Sequence, residues 1–188
     1  GYDLTVRDLN NDLVNEFIER GANSGRSPKK MAEHCDVVIT CLPSPKDCSE
    51  VMESKDGVLA GLSEGKIWLE MSTTDEAEIR RIGALVDAVG ALPIDCPVSG
   101  GCHRADTGNI SIFAGCKREA FELALPILTT MGRRVLHTGD LGTASKLKVM
   151  TNYLATVNLT SIAEALTTMK MLGMDMNVTY EAIKASSG

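Results

Sequence analysis

Short apolar runs alternate with stretches whose apolar residues recur every three or four positions over the first three quarters of the chain. The runs Asp3–Val6, Val37–Cys41, Ile67–Glu70, Leu92–Asp95, Ile110–Ala114 and Val135–His137 have the length and composition of buried strands. The intervening stretches Asn11–Arg20, Pro28–His34, Asp47–Val51, Asp75–Val89 and Arg118–Met131 are predicted helices. Alternation of this kind argues for parallel βαβ units and an α/β fold. The pattern changes at Thr143. From there to Leu172 no strand signal occurs, and Leu147, Met150, Leu154, Val157, Ser161, Ala165, Met169 and Leu172 keep a three-or-four spacing, which predicts one long amphipathic helix. Gly173 is a credible stop, and Asn177–Lys184 starts another helix. No internal repeat or low-complexity tract appears, so a domain boundary is expected near Gly139–Gly142.

Composition narrows the function classes. A chain of 188 residues with 44% hydrophobic content has room for one complete domain and part of another. A formal net charge of −6 argues against a nucleic-acid or anionic-membrane surface, either of which favours a basic face. No apolar stretch approaches the ~20 residues of a membrane span. The six cysteines, at 35, 41, 48, 96, 102 and 116, form no C-x-x-C pair and have no matched histidines. They read as reduced thiols of an intracellular protein rather than zinc ligands, and no metal is expected.

The chemistry concentrates further along. Asp95-Cys96-Pro97-Val98-Ser99-Gly100-Gly101 places a Ser-Gly-Gly turn after a strand, and such a turn exposes backbone N–H groups in a concavity suited to a small carboxylate. Lys148 follows, with Asn152 one helical turn later. An ammonium donates a proton, and a partly desolvated lysine can accept one near neutral pH. Together these residues describe a site for a hydroxy acid.

The same residues resemble the β-hydroxyacid dehydrogenase family, which includes 3-hydroxyisobutyrate dehydrogenase and tartronate semialdehyde reductase. Asp95, Pro97, Val98, Ser99, Gly100, Gly101, Ala105 and Gly108 fit the family's D-x-P-V-S-G-G substrate motif and the Ala and Gly that follow it. Gly142, Lys148 and Asn152 fit its G-x-G-x-x-x-K-x-x-N-N stretch, with Ala144 in place of the second Gly and Thr151 in place of the first Asn. The resemblance runs from Gly1 to Gly188. It implies an incomplete Rossmann-like doubly wound sheet over residues 1–140, binding NAD, and a long helix opening an all-α second domain over 141–188. In the Rossmann scheme a G-x-G-x-x-G turn and a helix precede a strand such as Asp3–Val6. No such turn is present. The chain opens without Met and stops at Ala185-Ser186-Ser187-Gly188 just after a helix begins, so it reads as an internal piece of a longer protein.

The candidate cofactor residues each have a plainer alternative. Asp8, just past the first strand, is placed to accept hydrogen bonds from both ribose hydroxyls and repel a 2′-phosphate, favouring NAD over NADP; a turn aspartate is the alternative. Family members preferring NADP carry Asn-Arg-Thr where this chain has Asp8-Leu9-Asn10, although the neighbouring Arg7 can meet a phosphate. Leu42 and Pro43 occupy the family's Leu-Pro pair beside the cofactor, or simply end a strand. Thr73 ends the next strand, where α/β sheets bind ligands; the hydroxyls of Ser72 and Thr73 can instead cap the following helix. Asp47 stands at a family cofactor-contact position and also reads as a helix N-cap.

The mechanism implied by the resemblance has Lys148 take the hydroxyl proton as hydride leaves the same carbon for the nicotinamide. Asn152 holds substrate or lysine in register, and Ser99, Gly100 and Gly101 fix the carboxylate. Lys146 is a nearby decoy, because both motif spacings select Lys148. His103 and Arg104 in the substrate loop can accept a second anionic group, or are a solvated pair. Three function classes compete: a hydroxyacid dehydrogenase, a decarboxylase resembling 6-phosphogluconate dehydrogenase, and an inactive module kept for oligomerisation or binding. Thr151 stands where the decarboxylase typically has His, which counts against the second class. The expected partners are a small carboxylic-acid substrate and further copies of the protein in a dimer or tetramer, with no nucleic acid or membrane. The expected compartment is the cytoplasm, or the mitochondrion in a eukaryote, and the apolar stripe of the long helix predicts self-association of the chain.

Overall fold

In the computed structural model, which describes residues 1–186, the chain runs through eight strands and eight α-helices. In order these are β1 Thr5–Val6, α1 Asn11–Glu19, β2 Asn23–Ser24, α2 Pro28–His34, β3 Val37–Thr40, α3 Pro45–Glu53, a 3₁₀ turn at Val58–Ala60, β4 Ile67–Glu70, α4 Glu76–Ala88, β5 Leu92–Asp95, β6 Val98–Ser99, α5 Cys102–Ala105, β7 Ile110–Gly115, α6 Arg118–Met131, β8 Gly132–Gly139, α7 Thr143–Met171 and α8 Met176–Ala185. Short polar residues start the helices. Asn10, Ser27, Ser44, Asp75 and Asp175 each accept a hydrogen bond from a first-turn N–H, and Pro28 and Pro45 follow two of them at a position where the missing N–H costs nothing.

The larger sheet has the order β3-β4-β5-β7-β6, with β8 against β7, while β1 and β2 form a separate parallel pair. Strand β4 is fully buried, so its side chains serve both faces in alternation. Ile67 and Leu69 join Ile94, Ile112, Phe121 and Leu128 in one core, against α6. Trp68 joins Ala32, Met52, Ile79, Ile82 and Val86 in a second core, against α2, α3 and α4. Helices therefore cover both faces, as a doubly wound sheet requires.

Several expectations need correction. The sheet is not uniformly parallel, because β7 runs antiparallel to β5 and β6. Between Asp95 and Ile110 the chain holds the two-residue strand β6 and the one-turn helix α5, too little for the crossover a parallel return demands. Helix α3 begins at Pro45 rather than Asp47, since Ser44 caps it. The short strands β2 and β6, α5 and the 3₁₀ turn carry too few residues for periodicity to register.

The chain divides into two compact units, Gly1–Lys148 and Val149–Gly188. Residues 187 and 188, at the end of the expected second domain, lie outside the described residues. In the second unit Gly173, with φ +76°, ends α7; its N–H bonds Lys170 O, and that of Met174 bonds Met169 O. This pair of bonds is a Schellman closure. The expected single stripe on α7 is too narrow a description. Leu154 and Val157 lie on it and are exposed, and so are Tyr153, Leu159 and Ile162, which lie off it. A helix apolar around much of its circumference is built to be packed on several sides. Among the described residues no helix is long and apolar enough to cross a membrane.

Helices α3 and α4 are laced together by charge. Arg81 bonds both carboxylate oxygens of Glu53 and of Glu78, and Ser49 Oγ donates to Glu78. These contacts hold the Glu78 carboxyl at about 2, against an ordinary glutamate value near ~4.3. A depressed folded-state value gives stability that is fully present above the unfolded value and is lost as pH falls through the folded one. Between pH ~4 and ~2, stability should therefore fall less steeply in Glu78→Gln than in the parent chain. Urea midpoints measured at several pH values in that window test this, and parallel curves would rule it out.

Candidate active site at the strand ends

The carboxyl ends of β3, β4 and β5 lie side by side, and two of the three close on a buried acid. Glu70 and Asp95 are register partners on adjacent strands, and neither has any exposed surface. A carboxylate in such a place must be surrounded by donors. Glu70 Oε2 accepts from Thr40 Oγ1 and Cys48 Sγ, each at 2.7 Å, and Oε1 accepts from the Ser72 N–H at 2.7 Å. Thr40 Oγ1 in turn accepts from Trp68 Nε1 at 2.8 Å. Ser72 Oγ accepts from the Leu42 N–H at 2.8 Å, which ties the turn after β3 to the turn after β4. One acid thus organises both loops expected to flank the cofactor.

Asp95 organises the other half. Its Oδ2 accepts from the Ser145 N–H at 2.8 Å and its Oδ1 from Ser145 Oγ at 2.7 Å, across fifty residues of sequence. Burial pushes its carboxyl above the ordinary aspartate value; the Ser145 bonds oppose that rise, and the neighbouring Glu70 adds to it. Burial likewise raises the Cys96 thiol far above its ordinary value and the Cys116 thiol to about 12, and it raises the Cys48 thiol strongly with Glu70 beside it. Thiols held protonated in this way are packing groups, not nucleophiles.

The chain leaves β5 through Val98–Ser99 into Gly100 and Gly101, with φ +142° and +76°, a path L side chains rarely follow. Ser99 and Gly100 are half-buried and Gly101 is exposed, so this turn opens to solvent. His103 and Arg104 sit on α5, both exposed.

Helix α7 starts under tight constraint. Thr143 Oγ1 bonds Thr138 Oγ1 at 2.8 Å and donates to Asp140 O at 2.7 Å. Gly115, at the end of β7, lies so close that a Cβ there would meet Asp140 O and Thr143 Oγ1 at 2.9 Å. Lys146 is exposed and pairs with Glu76 of α4 at 2.7 Å. Lys148 is half-buried, and burial lowers its ammonium below the ordinary lysine value.

The predicted residues divide accordingly. Leu42 is half-buried and fixed by Ser72, while Pro43 and Thr73 are exposed beside it. Asp47 is not the N-cap of α3. Ser44 is, and the pair form a reciprocal box in which the Asp47 N–H donates to Ser44 Oγ and Ser44 Oγ donates to Asp47 Oδ2. Neither Ser72 nor Thr73 caps α4; Asp75 does, through the Glu78 N–H. Asp8 is exposed, and its Oδ1 accepts from the Asn10 N–H at 2.8 Å, so the turn-forming geometry is present. Arg7 donates to Arg26 O. Asn152 is exposed on α7, four residues beyond Lys148. Glu70, Thr74 and Ser145 carried no sequence signal. Thr74 Oγ1 is buried at the end of β4 without a hydrogen-bond partner, an orphaned donor beside Thr73 of the kind a ligand hydroxyl or amide can satisfy. Among the described residues no group of three or more His, Cys, Asp or Glu is arranged to hold a metal.

Comparison with known proteins adds the following. Residues 1–139 match the NAD binding domain of 6-phosphogluconate dehydrogenase. The mitochondrial 3-hydroxyisobutyrate dehydrogenase of Mus musculus is 32% identical over 188 residues, covering 100% of this chain and 56% of that protein. The NAD-dependent L-serine dehydrogenase of Pseudomonas aeruginosa is 34% identical over 188 residues, 100% of this chain and 63% of that one. The chain therefore spans between 56% and 63% of the length of these two relatives. Among solved structures, the 3-hydroxyisobutyrate dehydrogenase of Mycobacterium tuberculosis with L-serine superposes with a TM-score of 0.88 at 26% identity, covering 100% of this chain and 64% of that one. An imine reductase from Myxococcus stipitatus with NADP+ shares the fold, with a TM-score of 0.88 at 18% identity.

Replacing Glu70 by Ala would strand the Thr40 hydroxyl, the Cys48 thiol and the Ser72 N–H at once. Each buried orphan costs about 1–3 kcal/mol, so Glu70→Ala should lose at least about 2 kcal/mol of stability. Urea unfolding measures it, and a loss below about 1 kcal/mol would show that the network is not holding these turns.

Proposed function

The chain belongs to the family that carries the NAD binding domain of 6-phosphogluconate dehydrogenase, and on that premise we propose that it is the greater part of an NAD-dependent oxidoreductase interconverting a short 3-hydroxy acid and its semialdehyde or keto form. The observation that supports this reading is that Asp95, at the end of β5, bonds Ser145, three residues before the half-buried Lys148 with its depressed ammonium value, while the half-buried Ser99 and Gly100 and the exposed Gly101 follow the same strand.

Asp8, Leu42, Pro43 and Thr73 would hold the cofactor, with Thr74 offering its orphaned hydroxyl and Asp47 close by on α3. NAD is favoured over NADP because an acid at position 8 suits ribose hydroxyls and repels a phosphate. When bound, the nicotinamide accepts or returns the hydride. The N–H groups and hydroxyl of Ser99, Gly100 and Gly101 grip the substrate carboxylate, leaving the carbinol carbon facing the cofactor. Lys148 takes the hydroxyl proton in oxidation and returns it in reduction, and its ammonium stabilises negative charge developing on the carbonyl oxygen. Asn152, one turn on, steadies substrate or lysine. His103 and Arg104 stand where a second anionic group on the substrate would be met. We assign residues 141 onward to a helical domain that assembles into a homo-oligomer, and the whole protein to the cytoplasm or, in a eukaryote, the mitochondrion.

Because the domain match is to 6-phosphogluconate dehydrogenase, oxidative decarboxylation is the second reading; carbon dioxide release distinguishes it. In a full-length protein carrying this segment, turnover followed by NADH absorbance with hydroxyisobutyrate, serine and glycerate is the direct test. Lys148→Ala should lower kcat by about two to four orders of magnitude. Burial lowers the Lys148 ammonium value, so the rise in oxidation rate with pH should be centred below that of an ordinary lysine. Near-normal turnover in Lys148→Ala would refute the assignment.

A further inference from the structure

We propose that Asp95 is a positioning residue for Lys148, its buried carboxylate gripping the first turn of α7 and so fixing where the lysine stands relative to the Ser99–Gly101 turn that leaves the same strand. The inference rests on Lys148 being the proton-transfer group; the grip itself does not. Ser145 is 1% exposed and gives Asp95 both its N–H and its hydroxyl. Lys148 follows Ser145 by three residues, which makes them neighbours on the helix surface. Whatever moves Ser145 moves Lys148.

Two further contacts remove the remaining freedom. The close approach of Gly115 to Asp140 and Thr143 stops the turn from sinking toward the sheet. Lys146, bound to Glu76, stops rotation about the helix axis. The Asp95 bonds, with those of Thr143 to Thr138 and Asp140, hold the turn against the sheet. A carboxylate accepts the Ser145 N–H and O–H together, one on each oxygen, whereas an Asn could keep the N–H bond on its amide oxygen only by meeting the hydroxyl with its NH2 and reversing that bond. The acid is retained although burial and the adjacent Glu70 penalise its charge. The other titratable groups facing it are the Cys96 and Cys116 thiols, held protonated by burial.

The test reads the lysine directly, without turnover. Reductive ¹³C-methylation of the 188-residue chain keeps each lysine charged and gives Lys148 an NMR signal, assigned by its loss in Lys148→Arg. In Asp95→Asn and in Ser145→Ala the titration midpoint of that signal should rise toward the ordinary lysine value, because a loosened turn hydrates the ammonium. A purely electrostatic influence of Asp95 has the opposite sign: Asp95→Asn would lower the midpoint and Ser145→Ala would leave it unchanged. Either of those results, or unchanged midpoints in variants whose circular dichroism matches the parent, overturns the proposal. Should Asp95→Asn fail to fold, Ser145→Ala decides alone, since it keeps the charge and the backbone bond. In the full-length enzyme Asp95→Asn should lower kcat by up to about a hundredfold at unchanged KM for NAD, the cost of a displaced catalytic group. Normal turnover in Lys148→Ala would sink the functional reading while leaving the titration result standing, so the two failures can be told apart.

Discussion

Two carboxylates with no exposed surface, side by side at the ends of β4 and β5, are the constraint around which the rest of the first unit is arranged. Burying a charge costs several kcal/mol even after relaxation, and that cost is offset only by well-placed donors. The donors come from distant elements. Glu70 draws on β3, α3 and the turn after β4, while Asp95 draws on Ser145 in the first turn of α7. Each acid therefore works as a staple whose legs are loops of functional interest. The apolar cores on either face of the sheet supply most of the stability, but they do not determine where a loop ends up to within a fraction of an ångström. Hydrogen bonds from a rigid strand end do.

How much of this was legible in the sequence depended on the range of the interaction. Strands β3, β4 and β5 and helices α2 and α6 follow from runs and periodicities a few residues long, and the Schellman closure at Gly173 follows from one glycine after a helical pattern. The start of α3 was misread because Asp47 looks like a cap, although Ser44-Pro45 is the stronger signal and Asp47 is its partner in the box. The antiparallel return of β7 was missed because alternation of elements says nothing about direction; only the shortness of the helical segment between β5 and β7 does.

The candidate site's proposed reactive groups stand in sequence motifs, and their supports do not. Ser99, Gly100, Gly101 and Lys148 belong to motifs that a sequence displays, whereas Glu70 reads as the polar end of a strand and Ser145 as one more small residue in a helix. A contact between Asp95 and Ser145 spans fifty residues, and no local pattern encodes it. Thr74 is similar: its hydroxyl becomes notable only when burial shows that nothing satisfies it.

The two lysines of α7 show how support sets a side chain's surroundings. Lys146 and Lys148 are two residues apart, hence about 200° apart around a helix of 3.6 residues per turn. The ion pair with Glu76 commits Lys146 to the α4 side, at 57% side-chain exposure, where an ammonium stays hydrated. The same rotation turns Lys148 to the far side, next to the Ser145 edge that Asp95 holds, where burial lowers its proton affinity. A lysine whose ammonium is partly desolvated gives up its proton more readily and is the better base at neutral pH. The difference between the two does not lie in their chemistry, which is identical. It lies in helix phase, which sets Lys146 beside Glu76 and Lys148 beside the Ser145 edge that Asp95 holds.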